Sequence, residues 1–221
     1  MKRRTLPTAA AFATAAALLL TACGGGDGTT GSDEIAGVGR QSEQPSKSAE
    51  PAQPQGDKPD GVDVSLPADM NLVFDWDKPE DKNEAAAMDD AANFFRAIYR
   101  GVDKRTAKEA AITTYSTGEG LHYAETQVNA WIDGGWTATG TLRHYNATTR
   151  SAGSGTSVEV AFCADAGKFF GKEVKNGKVL TTKPSLEDFD YYKIIMVKLP
   201  TSDTLWQASK VFVETKAAKC Q

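Results

Sequence analysis

The chain changes texture twice. A short apolar run from Leu6 to Leu20, mostly alanine and leucine, follows Lys2, Arg3 and Arg4. From Gly24 to Pro67 large apolar residues are almost absent, Ile35, Val38, Val62, Val64 and Leu66 being the exceptions. From about Leu72 to Gln221 apolar residues return with a period. Met88, Ala91, Phe95, Ile98 and Val102 recur every three or four positions, so one face of a helix beginning after Asn83 is apolar. Asp77 and Pro79 open a turn before it, and Gly101 reads as its stop. Thr106-Ala107-Lys108-Glu109 has the spacing of a capping box and predicts a second helix through Tyr115. Leu121, Ala124, Val128, Trp131 and Ile132 form the stripe of a third, Glu119 to Asp133, which Gly134-Gly135 ends.

The period then becomes two. Trp136 to Thr148 alternates, with Trp136, Ala138, Leu142 and His144 sharing one side. Ser157 to Ala164 is a second strand, and Lys172 to Thr182 holds Asn176-Gly177, a strong tight-turn signal. Phe189 to Leu199 and Thr204 to Lys216 are further strands, joined by a turn at Thr201-Ser202-Asp203. Helices followed by a run of strands predict an α+β domain. The expectation is three N-terminal helices packed on a curved, mostly antiparallel sheet over residues 68–221. That length suits one domain, burying roughly 70% of the surface its unfolded chain exposes.

The N-terminus has the basic and apolar regions of a secretory signal. Its apolar run is too short for a spanning helix, which needs roughly 20 apolar residues, and Pro7 interrupts it. Leu20-Thr21-Ala22-Cys23 resembles the bacterial lipobox, in which small residues admit the peptidase and the cysteine thiol takes the lipid. Residues 1–22 are therefore expected to be a lipoprotein signal peptide. Residues 23–67 are expected to be a lipidated Cys23 followed by a flexible linker. Two acyl chains, such as palmitate, hold a membrane stably where one does not. The implied location is the extracytoplasmic face of the cell membrane, lipid-anchored. Ordinary cleavage near Ala22 with a spare cysteine is the alternative. The N-terminus as a whole resembles actinobacterial lipoproteins. The linker composition cannot bury enough surface to offset its ordering entropy; as a coil it would span roughly 35–40 Å.

Charge narrows the partners. The chain has 25 basic and 29 acidic residues, a net of −4, and loses three bases with the signal. An acidic protein has no electrostatic footprint for nucleic acid and no affinity for anionic lipid beyond its anchor. There are three cysteines. With Cys23 taken by lipid, Cys163 and Cys220 remain as a pair, and an even pair in an oxidising compartment reads as a disulfide. A metal or catalytic thiol is the alternative, but no CxxC or HxxxH spacing supplies further ligands, so no metal is expected.

Several short features carry a family resemblance. Cys163-Ala164-Asp165 closes a strand, Asn176-Gly177-Lys178 makes a turn, Tyr192 lies in a long strand, Trp206 opens the last strand and Cys220 stands near the end. With helices ahead of a long-stranded sheet, residues 70–220 resemble the nuclear transport factor 2-like, cone-shaped fold. More narrowly, they resemble actinobacterial secreted lipoproteins of that fold. Many members place glycine before the final tryptophan, where this chain has Leu205. The resemblance implies a pocket between the helices and the concave sheet face. In some relatives such a pocket performs proton transfer, with an aspartate or histidine as base and a tyrosine as donor.

On that pattern His144 is the first candidate base, with Asp165, Tyr145, Tyr191 and Tyr192 as companions. The competing reading is a strand histidine in the core and a turn aspartate. His122 falls off the stripe of the third helix and is expected in solvent. Trp131, Trp136 and Trp206 either line a ligand pocket or fill the core. Asp89-Asp90 reads as a solvated helix face. Asn146-Ala147-Thr148 matches a glycosylation sequon by chance. No Ser-His-Asp elbow, phosphate loop or dinucleotide fingerprint is present, so no cofactor is expected. The sequence points to a non-catalytic module binding a small apolar ligand or a cell-surface protein, with a homodimer as a further possibility. An isomerase, dehydratase or cyclase is the alternative.

Overall fold

A computed structural model describes residues 58–221. The expected signal peptide, Cys23 and most of the expected linker lie outside the described residues. Among those described, no helix is long and apolar enough to cross a membrane.

The domain is α+β, with a six-stranded sheet. Helix α1 spans Lys82–Lys104. The Asp81 side chain caps it, accepting the backbone N–H groups of Asn83 and Glu84 at 2.9 and 3.0 Å. The predicted apolar face is buried: Met88, Ala91, Phe95, Ile98 and Val102 are each 3% exposed or less. Gly101 does not end the helix. It lies within the last turn, where a Cβ would stand 3.0 Å from Ile112 Cδ1 and Val128 Cγ2, so its bareness lets the next two helices close in. Arg105, in the left-handed conformation, is the cap.

Helix α2 is short, Ala110–Tyr115. The expected capping box does not form. Thr106 Oγ1 accepts the Lys108 N–H at 3.1 Å instead. The Glu109 carboxylate is drawn to the Arg100 guanidinium at 3.3 Å, away from the helix end. Helix α3, Gly118–Asp133, stops at Gly134 as expected.

The helices do not come first. Strand β1, Met70–Asp75, precedes them and pairs parallel with β2, Trp136–Ser151, so α1 to α3 form the crossover between two neighbouring strands. The remaining strands are antiparallel: β3 (Ser157–Glu173), the two-residue β4 (Val179–Leu180), β5 (Phe189–Lys198) and β6 (Trp206–Thr215). The order is β1-β2-β3-β5-β6, with β4 on the far end of β3. Strand β3 runs nine residues past the expected stop at Ala164, and the Asn176-Gly177 turn carries it back to β4. Bulges interrupt β2 against β3 after Thr141 and after Tyr145; such bulges bend a strand.

One sheet face packs under the helices. Leu142, His144, Val160, Phe162, Ile194 and Met196 are on it, all 5% exposed or less. Residues 58–67, placed in the linker by composition, also belong to the folded unit. Val64 is 4% exposed, Asp63 pairs with Arg100 at 2.9 Å, and the Tyr115 hydroxyl meets the Pro59 carbonyl and the Asp60 carboxylate at 3.0 and 2.9 Å. Few apolar side chains are needed there, because polar contacts to α1 and α2 fix the segment.

Candidate functional site

His144 is fully buried on the helix-facing side of β2. Its ring stacks on Phe74 at 4.5 Å between centroids, with Phe95 at 5.1 Å and Phe162 at 5.5 Å. Nδ1 lies 3.2 Å from the Val73 carbonyl oxygen, which makes Nδ1–H the donor. Nε2 has no hydrogen-bond partner among the described residues. Burial lowers the imidazole pKa to about 3, and the Arg96 charge pushes the same way. A proton acceptor tuned for general-base work titrates near the working pH; this imidazole stays neutral far below it.

The companions mostly lie on the other side of the sheet. Side chains alternate along a strand, and the register pairs Arg143 with Asp165, Tyr145 with Cys163 and Cys163 with Tyr191. All of these face away from His144. Asp165 Oδ1 accepts the Gly167 N–H at 2.8 Å, but within β3 and not at a strand-end turn. The Tyr145 hydroxyl donates to the Cys220 carbonyl. Cys163 and Cys220 form the disulfide, packed with Ala217, Tyr145, Phe189 and Tyr191. The structure therefore does not bring His144 together with Asp165, Tyr145 or Tyr191. Only Tyr192 shares its side, with Phe95 and Phe162 between them.

Around Tyr192 a different set collects. Its hydroxyl lies 3.5 Å from Asp190 Oδ2. Burial pushes the Asp190 carboxyl upward, against the pull of the Tyr192 hydroxyl and a backbone N–H at Lys216. Burial pushes the Tyr123 hydroxyl up to about 12 and those of Tyr99 and Tyr192 well above their usual value. Three phenols held neutral by burial thus gather beside one half-buried carboxyl whose pKa is raised. Tyr99, Tyr123 and Asp190 were not among the sequence candidates. Tyr99 could have been found four residues after Phe95 on the α1 face, and Asp190 two residues before Tyr192 on its strand face.

The tryptophans separate. Trp206 is fully buried in the core. Trp131 and Trp136 stand on either side of an open groove of about 290 Å³, completed by Ala130, Gly171 and Leu180. Trp136 does not join Ala138 in the interior as alternation suggested; it is 41% exposed. As the first residue of β2, directly after the Gly134-Gly135 turn, it lies past the end of α3. Gly134 lies under its indole, where a Cβ would come within 2.8 Å of Cε3. Gly171 forms the floor, where a Cβ would touch both indoles and Leu180. On its inner side Trp131 meets Tyr99 and Phe169 edge-on, at 6.2 and 6.4 Å. The groove wall and the tyrosine cluster are thus in contact.

Asp89 and Asp90 are not alike. Asp89 faces outward and pairs with Lys78 at 2.7 Å. Asp90, one position round the helix, is 5% exposed and accepts the Trp206 backbone N–H at 2.8 Å and the Asn93 amide at 3.2 Å. Burial raises its pKa to about 7. His122 is exposed, as expected. Asn146, the sequon residue, is exposed at the second bulge of β2 with φ 54°. Among the described residues no cluster of three acidic, histidine or cysteine side chains could hold a metal.

No family model matches the chain, and no curated protein matches it. Among solved structures, the intermembrane space region of chloroplast protein ARC6 aligns with 62% of this chain and 98% of its own, at 9% identity and a TM-score of 0.39.

Proposed function

We propose that this chain is an exported lipoprotein, held at the extracytoplasmic face of the membrane through lipid on Cys23, whose domain is a non-catalytic binding module. The lipobox-like Leu20-Thr21-Ala22-Cys23 and the acidic, apolar-poor stretch behind it support the anchor and tether. The groove between Trp131 and Trp136 carries the binding reading. It is open and glycine-floored, and its tryptophans offer apolar ring area to a small apolar ligand. We read the domain as a relative of the cone-shaped, nuclear transport factor 2-like fold. Three helices over a sheet whose β2–β3 pairing is interrupted by two bulges support that reading, and β1 ahead of them is an addition. The isomerase, dehydratase or cyclase alternative, through His144 or Asp165, gains less support: the His144 ring is enclosed among Phe74, Phe95 and Phe162, and Asp165 faces the other side of the sheet.

Native mass spectrometry of the mature chain, with Cys23→Ser to remove the lipid, tests the binding reading together with tryptophan fluorescence. A retained mass that is lost in Trp136→Ala, with a matching change in indole emission on re-addition, supports it. A retained mass indifferent to Trp136 and Trp131 would remove the groove from the reading. Unaltered mobility of the full chain on Cys23→Ser, with no labelling by a palmitate analogue, would remove the anchor.

A further inference from the structure

We infer that the part of β6 beyond Ser209 is the pairing edge of a symmetric dimer, in which residues 210–214 of one copy continue its sheet into the same residues of a second copy. Strand β6 ends the sheet and pairs with β5. The start of its outer edge, at Ala208, is already closed. Ser116 bridges to Ala208, the Thr117 N–H donates to the Ala208 carbonyl at 3.0 Å, and Gly120 of α3 packs on Ala208 so tightly that a Cβ would come within 2.0 Å of its oxygen. From Phe212 to Thr215 every residue is exposed, with Phe212 at 49% and Val213 at 38%. An open edge bearing large apolar side chains is a ready template for another strand.

The order of side chains says which strand. Lys210, Phe212 and Glu214 share the outer face, opposite Ile195, Lys193 and Tyr191 of β5, while Val211 and Val213 face the helix side. An antiparallel pair of two β6 strands centred on Phe212 sets Lys210 against Glu214 of the second copy at both ends. Phe212 meets Phe212, and Val211 meets Val213. The strand is complementary to itself in charge and in apolar character about one residue, as an isologous contact requires. Lys210 and Glu214 now have exposed partners within the chain, Glu119 at 3.1 Å and Lys219 at 2.6 Å. Such surface pairs are worth little and do not compete strongly with a cross-strand pair. Because this edge is formed by β6 and the groove by α3, β2, β3 and β4, the inference stands apart from the ligand reading.

Sedimentation equilibrium of the mature chain with Cys23→Ser tests it. A concentration-dependent dimer is expected. Lys210→Glu alone and Glu214→Lys alone each put like charges face to face at both ends, and each should raise the dimer Kd about tenfold or more. Mixing the two single variants restores both opposite pairs and should give a heterodimer near the parent affinity, as should the double variant with itself. Near-ultraviolet circular dichroism of each variant confirms that the fold persists. A parent that stays monomeric at millimolar concentration overturns the inference. So does a dimer indifferent to either single change, or a mixture that fails to recover affinity.

Discussion

Two buried titratable side chains pull stability in opposite directions. Asp90 has its pKa raised to about 7, first by burial, opposed by the Trp206 N–H and the Asn93 amide and reinforced by Asp60 and Asp89. The folded state therefore holds that proton more tightly than the unfolded chain. Its contribution is full below the unfolded value of 3.8 and is lost as pH rises to about 7, on the order of 4 kcal/mol. His144 is depressed from 6.5 to about 3, so its contribution is full above 6.5 and is lost as pH falls. The two slopes oppose each other between about pH 4 and 6.5. Asp90→Asn keeps an acceptor for the Trp206 N–H and removes one slope. Relative to the parent it should gain stability at pH 8 and lose that gain toward pH 4. His144→Phe preserves the stack on Phe74, removes the partnerless Nε2, and should gain most at low pH. Urea unfolding at several pH values, read as differences from the parent, checks both. Parallel curves for all three proteins would mean that neither group titrates as its burial implies.

At the scale of elements, closeness of α3 to β6 rests on one bare position. Gly120→Ala must push its Cβ away from the Ala208 carbonyl, where backbone rather than a flexible side chain stands in the way. The start of α3 would have to lift from the strand, at a cost of about 2–4 kcal/mol. Gly153→Ala, with nothing within 4 Å, should be neutral. Thermal denaturation of the pair reads the difference directly. This contact marks what the sequence could and could not show. Periodicity located α1, α3, β2, β5 and β6 because each buries one continuous face. It missed β1, six residues whose alternating Met70, Leu72 and Phe74 follow a stretch of linker-like composition. It misplaced Gly101 and Thr106, because a glycine inside a helix and a broken capping box depend on partners in neighbouring helices: Val128 of α3 and Arg100 of α1. The groove was half legible. Two of its tryptophans stood out, while Gly171 and Leu180 join them only through the pairing of β3 with β4. The opposite facing of Asp165 and His144 depends on register across the Thr141–Arg143 bulge, which a single sequence does not encode locally.

For the whole molecule, the disulfide ties the ends of the sheet's history together. Cys163 lies in the middle of β3 and Cys220 one residue from the C-terminus, 57 positions apart. Between them lie β4, β5 and β6, so the link closes the loop containing half the strands. Closing a loop of that length in the unfolded chain is worth about 4 kcal/mol in the chain-entropy model. The cluster around it is small: Ala217, Tyr145, Phe189 and Tyr191, on the side of the sheet away from the helices. Helices α1 to α3 and the main core lie on the other face. The cross-link therefore holds a small buried cluster of its own, apart from the main core. Cys163→Ser with Cys220→Ser should lower the Tm by roughly 10 °C, since about 1 kcal/mol shifts a domain of this size by 2–4 °C. Amide exchange should quicken first at the C-terminal segment and in β6, whose last residues depend on that tether, and last in α1. If exchange instead quickened evenly through the domain, the bond would be stabilising the fold through its unfolded state alone. If the Tm did not move, the hydrogen bond from Tyr145 to the Cys220 carbonyl and the cation of Lys219 over Tyr191 would have to suffice to dock the terminus.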